Sequence, residues 1–373
     1  MSILPPEEEK IGKARIKVAG IGGGGSNAVT YMMTKEIEGA YTIAANTDRQ
    51  ALDKALAHEK IQLGEKLTRG LGAGGNPEIG RKAMEESIED FTRAVDESDM
   101  VFLTAGMGGG TGTGGIPIAA QVTRELGALT VAVVTKPFSF EGPKRMRKAE
   151  EGIRHLKNHV DTLLVISNDR LLQIADRSMP ITSAFALVND VLYRAVKSII
   201  DIILKPGLVN VDFADVRSIM IAGGDAIMGT GEAEGDDRAK EAAKKAISSP
   251  LLDGATIQGA RGILVNVVGG DDLTLHEVQE ATQIIYEEAS KGGYDPEVIM
   301  GMVIDKEMTG KIQVNLIATG IGIPKSKAVI SRRTSKDEAG SEDLYEPAFK
   351  RKKYASDRVD RATLFGPGNG HKY

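Results

Sequence analysis

The sequence predicts an α/β fold: a doubly wound parallel-sheet domain, joined by a long central helix to a smaller α+β domain, with a polar tail behind. Three observations predict it. Short apolar runs alternate with helical stretches between Ala14 and about Val165, which is the pattern of βαβ units. Glycine is in excess, 44 of 373 residues or about 12% against an ordinary ~7%, and it clusters where those runs end. Beyond Gly322 the hydrophobic pattern stops and charged, polar residues take over.

The strands are expected at Arg15–Ile21, Tyr41–Thr47, Met100–Gly106, Leu129–Thr135 and Thr162–Ser167. Each is nearly continuous in apolar residues, as in a strand buried on both faces. Helices are expected between them, over Asn76–Ala94 and Gly142–Lys157 among others. Ligands of such sheets sit beyond the carboxyl ends of the strands. Ile181–Leu204 is the longest helix: Ile181, Phe185, Val188, Leu192, Val196, Ile199 and Ile203 follow helical spacing, and Ala184, Val191, Ala195 and Ile202 widen the stripe. Such a helix is buried on more than one side, as between two domains, and Lys205-Pro206-Gly207 stops it. After Ala222 come helices over Asp237–Ser248 and Thr274–Ser290, with strands at Gly262–Gly269, Val298–Ile304 and Lys311–Thr319. The expected organisation is an extension (1–13), a nucleotide domain (14–180), the central helix (181–206), a loop and short helix (207–221), the α+β domain (222–320), a disordered linker (321–343) and a tail (344–373).

Composition removes several function classes. Without cysteine there is no disulfide framework, thiolate zinc site, iron–sulfur cluster or cysteine nucleophile. Without tryptophan, and with 4% aromatics, there is little to stack nucleic-acid bases on. A net charge of -5 gives no reason to expect a polyanion partner. The segment from Gly322 onward is basic while the rest is acidic, so the tail is expected to have partners of its own. Residues 1–10 are acidic, and no apolar run approaches the ~18 residues of a membrane span. A soluble cytoplasmic protein is expected. His155 and His159 stand four apart on a charged helix and read as solvated surface, so no metal-ligating residue is assigned.

The glycines point to chemistry. GIGGGGSN (20–27) and GMGGGTGTGG (106–115) each lie between a strand and a helix start, and GLGAGGNP (70–77) precedes a helix beginning near Pro77. Backbone without Cβ approaches a ligand closely, and free N–H groups at a helix start favour anions. Two such loops from one sheet can surround a polyphosphate, with Thr111 and Thr113 adding hydroxyls. No G-x-x-x-x-G-K-[ST] occurs, which excludes a Walker-type loop. Gly20, Gly22 and Gly25 also satisfy G-x-G-x-x-G, with Asp48 after the next strand, so a nicotinamide-dependent oxidoreductase competes. That reading leaves the GTGTG loop without a task.

GGGTGTG resembles the signature of the tubulin/FtsZ superfamily, and GMGGGTGTGG looks like bacterial FtsZ. The resemblance continues through NTD (46–48), TRGLGAGGNPEIG (68–80), TVAVVTKPFSFEG (130–142), NDVL (189–192) and GLVNVDFADVR (207–217), covering residues 14–320. It implies a GTP-binding, GTP-hydrolysing cytoskeletal protein. Gly22, Gly23, Gly24, Gly25, Ser26 and Asn27 would form the first phosphate loop, Ser26 standing where many relatives have glycine. Gly108, Gly109, Gly110, Thr111, Gly112 and Thr113 would form the signature loop. Ala73, Gly74 and Gly75 would lie near the γ-phosphate, and Glu141 and Arg145 at the ribose and phosphates. Asn168, Phe185, Asn189 and Asp190 fall where guanine is held, although Phe185 also fits the helix's core stripe. A carboxylate there accepts from guanine N1–H and N2–H₂ together.

By the same resemblance Asn210, Asp212 and Asp215 are catalytic, though Asp215 also reads as an ordinary helix cap. Their loop would enter the nucleotide pocket of the next subunit, where the aspartates polarise the attacking water. Magnesium is expected on the phosphates. The implied partner is the chain itself, in a head-to-tail polymer forming the ring at the midcell division site, and a non-hydrolysing filament protein is the further alternative. The tail would reach membrane tethers, and so the membrane only indirectly. Pro347, Ala348 and Phe349 match the family's docking peptide, whereas Glu346 and Lys350 depart from it.

Overall fold

The apolar runs form strands of one sheet in a computed structural model that describes residues 14–173, 178–205, 211–221, 224–291, 293 and 295–321. The first half contains β1 (Ile16–Ile21), α1 (Gly22–Thr34), β2 (Ala40–Asn46), α2 (Arg49–Lys54), β3 (Glu59–Gln62), α3 (Glu65–Thr68), α4 (Pro77–Glu86), α5 (Ile88–Val95), β4 (Met100–Gly106), α6 (Thr111–Glu125), β5 (Leu129–Lys136), α7 (Pro143–Lys157), β6 (Thr162–Ser167) and α8 (Asn168–Leu171). There follow α9 (Ile181–Leu204), α10 (Phe213–Ile221), β7 (Gly224–Glu234), α11 (Arg238–Ile247), β8 (Gly262–Gly269), α12 (Leu275–Ser290), β9 (Glu297–Ile304) and β10 (Lys311–Thr319). The expected extension 1–13, Asn210 and everything from Gly322 onward lie outside the described residues.

The sheet order is β3-β2-β1-β4-β5-β6-β7-β10-β8-β9. Strands from β3 to β7 run parallel, β10 is antiparallel to both neighbours, and β8 pairs parallel with β9. The winding reverses between β1 and β4, so a crevice opens at the carboxyl ends of those two strands.

Alternate side chains of the parallel strands enter two cores. Val18, Phe102 and Val131 meet α1 and α9, whereas Ala19, Leu103 and Ala132 meet α5, α6 and α7. The far side of α9 packs on β8, β9 and β10 through Leu264, Ile299 and Ile317. This is why its apolar stripe is so wide. A third core lies beneath α11 and α12. No helix among the described residues is long and apolar enough to cross a membrane.

One expectation is corrected, and two strands appear that the sequence pattern does not show. The single helix over Asn76–Ala94 is two, broken at Ser87, whose hydroxyl accepts from Gly64 N–H at 3.0 Å and donates to Gln62 O at 3.3 Å. β3 is too short and charged to show a strand pattern. β7 is hidden by its glycines: a Cβ at Gly229 or Gly231 would lie 2.1 Å from a carbonyl oxygen of α11, so helix and strand touch backbone to backbone.

Candidate functional site

The three glycine loops meet in the crevice. A Cβ at Gly22 would stand 2.7 Å from Gly112 N, and one at Gly110 would stand 2.8 Å from Ala73 Cβ and 2.9 Å from Asn76 N. The segment 108–113 is therefore in contact with both 22–27 and 73–76. Further bonds tie two of the loops to the end of β2: the Thr47 and Thr111 hydroxyls pair at 2.6 Å, Arg49 N–H donates to Gly70 O at 3.0 Å, and Gly72 N–H donates to Thr47 O at 3.3 Å. Asn76 caps α4 by accepting from Glu78 N–H at 3.0 Å.

The resulting concavity suits an anion. A Cβ at Gly23, Gly74, Gly75 or Gly109 would meet no protein atom within 4 Å, so these four backbones border open space. The first turns of α1 and α6 carry no acidic side chain, leaving the positive ends of two helices uncompensated. Ser26 Oγ is buried and has no hydrogen-bond partner among the described residues. Gly108 N–H donates to Thr113 Oγ1 at 2.8 Å, which sets the turn into α6. These features fit a polyphosphate.

α7 closes one side. Arg145 and Glu141 form an ion pair at 2.8 Å, and Glu141 also accepts from Phe138 N–H at 2.9 Å. Arg145 lies against Gly108, where a Cβ would be 2.6 Å from its carbonyl oxygen. One turn later the Lys148 ammonium donates to Gly75 O. α7 thus grips two of the three loops, and Lys148 is a site residue that the sequence motifs did not single out.

On the other side, Asn168 begins α8 directly after β6, and its buried Oδ1 has no partner among the described residues. Phe185 is 43% exposed and stands edge-on to Phe138, ring centroids 5.4 Å apart, so it is not part of the core stripe. Asn189 follows one turn along the same side of α9. Asp190 turns toward α1 and is already engaged: Oδ1 accepts from Tyr31 OH at 2.9 Å and Oδ2 from Arg194 Nε at 2.7 Å. Burial, then the hydrogen bond to Asp190 and its charge, push the Tyr31 hydroxyl up to about 12. Asp48, required by the oxidoreductase reading, instead caps α2 by accepting from Ala51 N–H at 3.1 Å.

Asp212 and Asp215 are not in this crevice. Both are exposed, Asp215 in the first turn of α10 and Asp212 just before it, with its carbonyl accepting from Asp215 N–H at 3.1 Å. α10 sits at the amino-terminal edge of the parallel strands. Arg217 donates to Gly127 O at 3.3 Å just before β5, and Thr162 at the start of β6 donates to Met220 O. The 24 residues of α9 span about 36 Å from one edge to the other. At its far end Leu204 closes against Gly39, just before β2.

Residues 15–176 match the family model described as Tubulin/FtsZ family, GTPase domain, and residues 224–322 match FtsZ family, C-terminal domain. An FtsZ mutant from M. jannaschii is 48% identical with a TM-score of 0.79, the alignment covering 83% of this chain and 91% of that one. The chain belongs to the FtsZ family. An empty FtsZ dimer from M. jannaschii is 46% identical, TM-score 0.79, covering 86% of this chain and 93% of the other. Both FtsZ relatives are archaeal, so the assignment is to FtsZ as a whole rather than to its bacterial members. At the level of fold alone, CetZ2 from Haloferax volcanii, a GTPγS-bound protofilament, aligns at 20% identity and TM-score 0.67 over 82% of this chain and 92% of that one. The glycine loops, Glu141, Arg145 and Asn168 lie within the FtsZ GTPase domain. Phe185, Asn189, Asp190, Asp212 and Asp215 fall between the two matched regions.

Proposed function

We propose that this GTPase assembles head to tail into filaments of the division ring and hydrolyses GTP at each junction, which drives filament turnover. One observation carries the reading: the anion-binding crevice and the Asp212/Asp215 pair occupy opposite edges of one sheet. A single chain cannot bring them together. A second copy stacked along the strand direction can, and such a heterologous contact, repeated without closure, makes an open filament.

In that arrangement Gly22–Asn27, Ala73–Gly75 and Gly108–Thr113 hold the phosphates of one subunit by backbone N–H groups. Arg145 and Glu141 border ribose and phosphates, while Asn168, Phe185, Asn189 and Asp190 receive guanine. The next subunit's Asn210 loop brings Asp212 and Asp215 to orient the water that attacks the γ-phosphorus, with positioning and electrostatics supplying most of the rate. Magnesium would supply charge neutralisation at the phosphates. The ion would rest on the nucleotide's phosphate oxygens, with the Thr111 and Thr113 hydroxyls the side-chain oxygens of the loop beside it. The tail, with Pro347, Ala348 and Phe349, would connect the cytoplasmic filament to membrane-tethering division proteins.

Mixing two inactive variants tests the shared site. Asp212→Ala keeps the crevice and should bind GTP normally but hydrolyse it poorly. Gly109→Ala, assayed at a GTP concentration that its roughly ten- to hundredfold weakened crevice leaves mostly unfilled, should hydrolyse little on its own but keep its aspartates. Together they should regain turnover at mixed junctions. No gain, with co-assembly confirmed by light scattering, rejects the shared site.

A further inference from the structure

Tyr31 lies outside the glycine-loop segments, one turn beyond Asn27 on α1, yet it grips the one carboxylate assigned to the base. It comes from α1, whose first turn is a phosphate loop, and its hydroxyl crosses to Asp190 on α9 at 2.9 Å. The phenol is itself held in place. Its ring meets Tyr193 edge-on with centroids 6.1 Å apart, and the Lys35 ammonium lies 5.8 Å from its centroid. Arg194, one turn beyond Asp190, takes the second carboxylate oxygen at 2.7 Å.

An aspartate on a helix ordinarily rotates about two side-chain bonds. Here donors from two different helices fix both oxygens, which leaves one carboxylate plane. A carboxylate offers about four acceptor positions, so two remain for a ligand. We propose that Tyr31 is a specificity-determining positioning residue, which sets the Asp190 carboxylate to accept the paired N1–H and N2–H₂ donors of a guanine base. The inference rests on the guanine assignment made above. It adds that α1 serves both ends of the nucleotide, phosphates through its first turn and base through Tyr31. With its hydroxyl pushed up to about 12, Tyr31 stays a donor throughout the working pH range.

Tyr31→Phe in the full chain removes only the hydroxyl and keeps the ring against Tyr193. The probes are GTP, which carries the 2-amino group, and inosine triphosphate, which has N1–H but no 2-amino group. The variant should bind GTP roughly five- to tenfold more weakly and inosine triphosphate less than about twofold more weakly. KM for GTP should rise while turnover at saturating GTP is unchanged. In an Asp190→Ala background, Tyr31→Phe should add nothing further. Equal weakening of both nucleotides would show a merely structural contact and overturn the proposal, as would no change in either. A wild-type chain that binds the two nucleotides equally refutes the base assignment itself, a result readable without any variant.

Discussion

Replacing Gly109 with alanine separates ligand contact from packing within the crevice. Its backbone is not left-handed, and a Cβ there meets no protein atom within 4 Å. The folded chain should therefore accept the methyl. Restricting the unfolded chain should even stabilise it by about 0.4–1 kcal/mol. The same methyl projects into the space required by a phosphate oxygen bonded at about 2.9 Å to backbone N–H. Losing one such charge-assisted bond costs about 1.5–3 kcal/mol, which is roughly ten- to a hundredfold in GTP affinity. The neighbouring Gly110→Ala is the contrast, because its Cβ would lie 2.8 Å from Ala73 Cβ and 2.9 Å from Asn76 N. Overpacking of that kind costs about 1–3 kcal/mol. Direct GTP titration and nucleotide-free melting of both variants read the two effects. If Gly109→Ala binds GTP as the wild type does, the crevice is not the phosphate site; if it melts as low as Gly110→Ala, Gly109 does not border open space.

Two further outcomes are expected. Lys148→Met frees the Gly75 carbonyl and should weaken GTP several-fold, about 1 kcal/mol, while leaving GDP unchanged and recovering with Lys148→Arg; equal loss for both nucleotides would contradict it. In the C-terminal half, hydrogen bonds from buried Arg238 hold the Glu277 and Asp272 carboxyls below their usual range. Lowered carboxyl values give stability that is fully present above the unfolded value near ~4 and is lost as pH falls through the folded one. The wild type should therefore lose melting temperature between about pH 5 and pH 3, whereas Arg238→Met should melt lower at neutral pH and show a flatter acid limb. An unchanged acid limb in the variant would remove Arg238 as its cause.

Much of this molecule is legible in the sequence because the signals are local. Val18, Phe102 and Val131 stand in short, uninterrupted apolar runs bounded by turn residues, the pattern of a strand buried on both faces. The glycine loops are legible for a similar reason, since close backbone approach leaves no room for a Cβ at Gly22 or Gly25. What was hidden depends on contacts between distant segments. β7 carries glycines that look like a turn until α11 is laid across them. Tyr31 and Lys148 have no motif: each acts through one hydrogen bond to a residue far away in the chain, Asp190 or Gly75. Asp190 was found, but not its two donors. That it is held before any base arrives is a property of the packing of α1 against α9. The break at Ser87 belongs to the same class, because its cause is a bond to Gly64.

GTP turnover measured against protein concentration decides whether a single chain can contain a complete hydrolytic site. Turnover per subunit should be negligible in dilute solution, rise steeply once filaments form, and be suppressed when filament contacts are blocked without loss of GTP binding. A specific activity that stays constant on dilution, well below the concentration at which light scattering detects polymer, would contradict it.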